Sequence, residues 1–234
     1  MQRLEWIGFD ADDTLWHNER LYHDSERDLA RLLAECAAAD EVSSRLLAVE
    51  RRNLPKYGYG IKSFVLSMIE TAIDIGGDRT GATTIGEILA LGKRMLDADV
   101  DLLPGAADTV RTLSERARLV LVTKGDLRDQ RAKLERSGLE PYFDHIEIVP
   151  EKTPETYAAI LARLGVAADR FAMVGNSPRS DILPVLAVGA VAVHVPYPLL
   201  WAHEEVDGGL PPGVPVIDDL SALPAVLEEL PNRT

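Results

Sequence analysis

Apolar positions along this 234-residue chain follow two different patterns. From Leu102 onward, short and nearly continuous apolar runs alternate with stretches of helical spacing. Residues 118–123, 146–149, 171–174 and 190–195 read as strands, and Ile7-Gly8-Phe9 near the N-terminus reads as one more. The segments between them predict helices through 128–134, 156–164 and 180–188, stopped by Gly138, Gly165 and Gly189 respectively. Strands that are apolar on both faces, separated by helices, predict an α/β fold with a Rossmann-like parallel sheet and helices on both faces. Ligands of such sheets sit at the carboxyl ends of the strands. A loop at 208–213, a last strand at 214–217 and a last helix at 220–230 complete the expectation.

Residues 17–101 lack a strand pattern. Helical spacing runs through 25–39, 42–53, 61–75 and 84–96, with breaks at Tyr57-Gly58-Tyr59-Gly60 and Gly76-Gly77-Asp78. The expected organisation is therefore an α/β domain from 1–16 and 102–234, interrupted by an all-helical domain over 17–101. An insertion of about 85 residues is large enough for its own small core.

The first strand ends in Asp10-Ala11-Asp12-Asp13-Thr14-Leu15. Residues i and i+2 of a strand share a face, so Asp10 and Asp12 would repel one another and resist desolvation. A bound cation or a shared proton relieves that conflict, whereas a solvated, Asp-rich turn avoids it altogether.

Composition narrows the chemistry further. The formal net charge of −13 argues against a nucleic-acid partner, whose phosphates call for a basic face. No segment approaches the ~18 uninterrupted apolar residues of a membrane span. The first residues run straight into a strand pattern, so the default expectation is a cytoplasmic protein without a signal peptide. Cys36 is the single cysteine and reads as a small core residue in a helix. The five histidines show no zinc-ligand spacing, so any metal here is expected to be a hard, oxygen-bound cation such as magnesium.

Four strand ends carry complementary polar residues: Asp10 and Asp12; Thr123-Lys124-Gly125-Asp126; Lys152 in Pro150-Glu151-Lys152-Thr153-Pro154; and Gly175-Asn176-Ser177-Pro178-Arg179-Ser180-Asp181. In this order, and with a helical insertion after the first, they resemble the four motifs of the haloacid dehalogenase superfamily, most of whose members are magnesium-dependent phosphatases. The resemblance covers the whole chain and makes the helical insertion a cap domain. It implies that Asp10 attacks phosphorus and forms an aspartyl-phosphate, while Asp12 protonates the leaving oxygen and then takes a proton from water. Thr123, with nearby backbone N–H groups including that of Gly125, would hold phosphoryl oxygens, and Lys152 would offset charge between Asp10 and the phosphate. Magnesium would sit on Asp10, the main-chain carbonyl of Asp12, Asp181 and Asn176. Thr14, Lys124, Lys56 and Arg179 are further candidate substrate contacts, and Thr14 also holds the turn.

Plainer roles stay open for several of these residues. Thr123 could cap the following helix, Lys152 could be an exposed loop lysine, and an acid at position 181 suits a helix start in any case. Asn176 departs from the pattern, since much of the superfamily carries aspartate there. The site then has one negative charge fewer, with weaker metal binding as the expected consequence.

A small phosphorylated metabolite is the expected partner of a monomer or homodimer. The alternatives are a 2-haloacid dehalogenase, a phosphomutase, and a catalytically weak phosphate-binding protein. Asp12 counts against the first, because a halide leaving group needs no proton. In the insertion, Lys56 or Lys62 could read a second anionic group on the substrate, and Tyr57 and Tyr59 could either line that site or pack the turn.

Overall fold

The computed structural model describes residues 4–199, 201, 204, 206 and 208–229. Its strands are β1 (Trp6–Phe9), β2 (Arg118–Lys124), β3 (His145–Val149), β4 (Phe171–Gly175) and β5 (Val191–His194). They form one sheet in the order β3-β2-β1-β4-β5, with every neighbouring pair parallel. The first strand thus lies in the centre, with Phe9 level with Leu121 on one side and Val174 on the other. The chain divides into two compact units, one of Met1–Glu19, Val100–Lys124 and Gln130–Thr234, the other of Arg20–Asp99 and Gly125–Asp129.

In the α/β unit, strand alternation sorts the core into two layers. Ile7, Phe9, Leu119 and Leu121 face one way, onto Val110 and Leu113 of α5 (Ala106–Ser114), Leu134 of α6 (Leu127–Ser137) and Leu223 of α9 (Leu223–Glu229). Trp6, Val120, Val122, Phe171 and Met173 face the other way, onto Tyr157 and Ile160 of α7 (Pro154–Leu164) and Val185 of α8 (Leu183–Ala187). Gly8 lies between Trp6 and Phe9 because nothing larger fits. A Cβ there would come within 2.8 Å of the Phe171 ring and 2.9 Å of the Met173 sulfur.

The helical unit contains α1 (Glu19–Leu32), α2 (Ala39–Tyr57), α3 (Ile61–Gly76) and α4 (Ala82–Asp97). Leu29, Leu33, Val42, Leu46, Phe64, Met68, Ile88 and Leu91 form its core. Buried Asn53 ties α2 to α3 through Ser67 Oγ (3.2 Å) and Glu70 Oε2 (2.7 Å). Close packing continues at Gly92, where a Cβ would lie 2.2 Å from a Val65 methyl.

Glu50 of α2 is a conflict inside this unit. Burial, and then the charge of Glu26, push its carboxyl up from 4.5 to about 7. The folded state therefore favours protonated Glu50, and this group's contribution worsens as pH rises from 4.5 through 7. Glu50→Gln is accordingly expected to stabilise the protein by about 1–2 kcal/mol at pH 8, a value held down by partial contact with water. The gain should fade on acidification and vanish below pH 4.5, as urea denaturation across pH would show.

Several sequence expectations need correction. The first insertion helix spans Glu19–Leu32 rather than 25–39, and partly buried Cys36 lies in the turn beyond it. Helix α5 adds an element that the periodicity had not announced. Residues 214–217 form no strand; a single bridge joins His194 to Val216, which is exposed. The last helix starts with a short 3₁₀ turn, Leu220–Ala222, and Leu230 lies outside the described residues. Among the described residues, no helix is long and apolar enough to cross a membrane.

Candidate active site

Where β1 ends, the chain makes one last sheet contact, from the Asp10 N–H to the Val174 carbonyl (2.9 Å), and then turns sharply. The Ala11 carbonyl accepts from Leu15 N–H (2.8 Å), and Asp13 takes the left-handed conformation, at φ 62°. That geometry is uncommon for a residue with a side chain, and aspartate is among those that tolerate it. Asp13 is also buried, and its carboxylate accepts from the N–H groups of Asn18 (2.9 Å) and Glu19 (3.1 Å), fixing the start of α1. Burial is the main cause that raises its carboxyl to about 7.

The turn leaves Asp10 against residues from two other loops. Lys152 Nζ donates to Asp10 Oδ1 (2.5 Å) and to Asp181 Oδ1 (2.6 Å), and all three side chains are buried. Thr14 Oγ1 donates to Asp10 Oδ2 (2.9 Å) and accepts from the Asn176 N–H (3.1 Å), with Asn176 Oδ1 at 3.4 Å. Asp181 Oδ2 accepts from the Ser177 N–H (3.0 Å). Gly175 makes room for this arrangement, since a Cβ there would lie 2.3 Å from the Asp181 carboxyl carbon. The segment Pro178–Ile182 is a π-helical turn, which presents Asp181 inward before α8 begins.

One lysine thus serves two buried carboxylates. Burial first, and then the charge of Asp181, push the Asp10 carboxyl up to about 7 against the pull of Lys152. Burial works to lower Lys152, but the charges of Asp10 and Asp181 outweigh it and hold the ammonium above its ordinary range.

Asp12 points to a different set of donors: Trp16 Nε1 (2.7 Å), Gln130 Nε2 (2.7 Å) and Lys133 Nζ (3.0 and 3.2 Å). Thr123 is buried at the end of β2, and its hydroxyl donates to the Lys124 carbonyl (3.2 Å). Lys124, a candidate for reading substrate, sends its ammonium to Glu204 Oε1 (2.5 Å) and Ser180 Oγ (2.9 Å). Glu204 also accepts from Ser177 Oγ (2.5 Å) and Ser180 Oγ (2.6 Å). Burial opposes ionisation of Glu204, yet Lys124 and the two hydroxyls prevail and hold it down at about 2.

Arg179 is exposed on the π-helical turn. Gly125 follows β2 at φ 117° and groups with the helical unit, as does exposed Lys56 at the end of α2. Lys62 pairs with Asp126 (2.9 Å) within that unit.

Sequence reasoning missed Trp16, Gln130, Lys133 and Glu204. Gln130 and Lys133 carried a faint signal, because they stand beside Leu134 on the inward face of α6. Glu204 carried none, since the sequence around it has no periodicity.

No cluster of three or more acidic, histidine or cysteine side chains suited to a metal occurs among the described residues. The groups that would hold a metal are nevertheless all oxygen donors: the carboxylates of Asp10 and Asp181, the amide oxygen of Asn176 and the main-chain carbonyl of Asp12. Two carboxylates on one ammonium, with Asp10 pushed up to about 7, leave negative charge that a hard cation suits.

Comparison with known proteins identifies the family. The family model for haloacid dehalogenase-like hydrolases matches residues 4–189. A haloacid dehalogenase-like family hydrolase from Xanthomonas campestris, of known crystal structure, is 40% identical, with TM-score 0.86 over 96% of this chain and 91% of that one. The glyceraldehyde 3-phosphate phosphatase of Methanopyrus kandleri is 25% identical over 82% of this chain and 84% of its own length. The ribulose-1,5-bisphosphate 5-phosphatase of Halopiger xanaduensis is 34% identical, but that match spans 49% of this chain and only about half, 52%, of the relative. With the family model matched across β1 to α8 and the similar crystal structure covering nearly the whole chain, the chain belongs to the haloacid dehalogenase-like hydrolases.

Proposed function

We infer that this protein hydrolyses phosphate monoesters of small metabolites through an aspartyl-phosphate on Asp10. The observation that carries this reading is the buried Asp10–Lys152–Asp181 group at the carboxyl ends of the central strands. An Asp10 oxygen attacks phosphorus while the bond to the leaving oxygen breaks, and Asp12 gives that oxygen its proton. Water then attacks the phosphorus of the aspartyl-phosphate, loses its proton to Asp12 and releases phosphate. Lys152 offsets charge on the transferring group as a compact cation. The Thr123 hydroxyl turns from the Lys124 carbonyl to a phosphoryl oxygen, beside the N–H groups of Lys124 and Gly125.

Magnesium, held by Asp10, Asp181, Asn176 and the Asp12 carbonyl, would supply further positive charge to the phosphoryl oxygens. Asp12 also favours phosphate over halide chemistry, since only an oxygen leaving group uses its proton. The helical unit serves as the cap that selects substrate, and Lys56 is its candidate anion reader. Lys62 is committed to Asp126, and Lys124 to Glu204, so neither ammonium is assigned to substrate.

The test is an ester panel assayed with magnesium and with a chelator: glyceraldehyde 3-phosphate, ribulose 1,5-bisphosphate, a nucleoside 5′-monophosphate and a hexose 6-phosphate. Magnesium-dependent release of inorganic phosphate from at least one ester supports the reading. No release from any, or halide release from 2-chloropropionate, overturns it. Asn176→Asp restores a negative charge to the metal donors, and titration calorimetry is expected to show magnesium binding about 3- to 10-fold tighter, as ligand charge sets affinity.

A further inference from the structure

We propose that Lys133 and Gln130 of α6 are positioning residues for Asp12, fixing the carboxylate that exchanges protons with the leaving group. This rests on the phosphatase reading above and adds to it two residues outside the four strand-end motifs. Asp12 lies in the turn after β1, and its side chain is partly exposed. A carboxylate there would sample several rotamers unless held, and misplacement by about 1 Å is enough to cost 10²-fold in rate.

The structure supplies the hold from one helix face. Gln130 and Lys133 lie three residues apart on α6, both buried, and both donate to Asp12. Lys133 reaches both carboxylate oxygens, at 3.0 and 3.2 Å, and also donates to Asn18 Oδ1 (2.8 Å), so one ammonium pins both ends of the 12–18 turn. Gln130 Nε2 is shared between Asp12 Oδ2 (2.7 Å) and the Lys124 carbonyl (2.9 Å). Its own Oε1 is buried with no partner. Turning the amide over would set that oxygen against a carboxylate and a carbonyl, so the orientation is fixed by what Nε2 must donate to. A glutamine kept in this way, with an acceptor unsatisfied, is held for its donor contacts rather than for packing. Trp16 Nε1 completes the set from within the turn.

Leaving-group dependence reads this role directly. A nitrophenolate leaves without help from an acid, whereas a sugar or glycerol alkoxide needs the proton. The measurement compares kcat/KM for the panel ester hydrolysed fastest with kcat/KM for 4-nitrophenyl phosphate, in wild type, Lys133→Met and Gln130→Met. The expected result is a loss at least about tenfold greater on the alkyl ester than on the aryl ester, a part of the 10²–10⁴ that a placed acid contributes. In Lys133→Met the inhibition constant of inorganic phosphate should stay within about twofold, because Lys133 bonds to Asp12 and Asn18 and to none of the groups assigned to the phosphoryl oxygens. Equal losses on both esters, or none, overturn the positioning role while leaving the phosphatase reading intact. A wild type that hydrolyses neither ester overturns both. If Lys133→Met does not fold, Gln130→Met carries the same comparison, since it removes a neutral donor and leaves every charge in place.

Discussion

Asp10→Asn is expected to abolish turnover, with kcat at least about 10⁴-fold lower on any ester the wild type hydrolyses, because the amide cannot serve as the attacking oxyanion. The substitution keeps the shape of the side chain, and Lys152 can still donate to Oδ1 while the Thr14 hydroxyl turns to accept from the new amide N–H at the other position. Folding stability should change little. Burial and Asp181 already push the Asp10 carboxyl up to about 7, so near neutral pH the loss of its charge removes as much repulsion as attraction. Binding of inorganic phosphate, measured by calorimetry, should persist. The contrast separates an enzyme from a protein that merely holds phosphate, in which there is no turnover to lose.

Lys152→Met should be damaging in two ways at once. It removes the ammonium that offsets phosphoryl charge, for which about 10³-fold in kcat is the expected loss. It also strands Asp10 and Asp181 as buried carboxylates with no cation, an arrangement that typically destabilises by about 3–5 kcal/mol. The destabilisation carries a sign in pH. Asp10, already pushed up to about 7, loses the one charge that pulls it down, so lowering the pH protonates it and removes the penalty. Urea midpoints of wild type and variant should therefore lie far apart at pH 8 and converge toward pH 5. A gap that stays constant across that range would mean that lost packing, rather than stranded charge, is responsible.

The sheet was the most legible part of this chain, because a parallel strand buried on both faces shows as an uninterrupted apolar run. Residues 118–123 and 171–174 left no other reading, and β2 and β4 fall on them within a residue. Elements governed by single hydrogen bonds were not legible in the same way. The start of α1 is set by Asp13, a carboxylate outside the helix, and apolar spacing carries no trace of it. Helix α5 had the signal, with Ala106, Val110 and Leu113 on one face, but it is short and closely framed by polar residues. Residues 214–217 have strand composition and no strand, since only one bridge to His194 forms.

The candidate site divides along similar lines. Asp10, Lys152 and Asp181 stood out as charged residues at the ends of core strands, where burial demands a partner, and the structure brings them together. The ion pair of Lys124 could not be read from its strand end, because its counter-charge comes from Glu204, distant in sequence and in a stretch without periodicity. Lys133 was disguised as an ordinary surface lysine of a polar helix, and only its burial beside Asp12 shows otherwise. Strand-end motifs announce the buried charged groups, whereas Gln130 and Lys133, which bond to one of them, come from a helix face whose polarity looks like solvent exposure.

Acid quench during steady-state turnover, followed by peptide mass analysis, tests the central claim most directly. The expected result is one phosphoryl group on the peptide containing Asp10, labile to hydroxylamine and absent from Asp10→Asn. Turnover that proceeds with no phosphoryl group on Asp10 at any quench time, including single-turnover conditions, would contradict it.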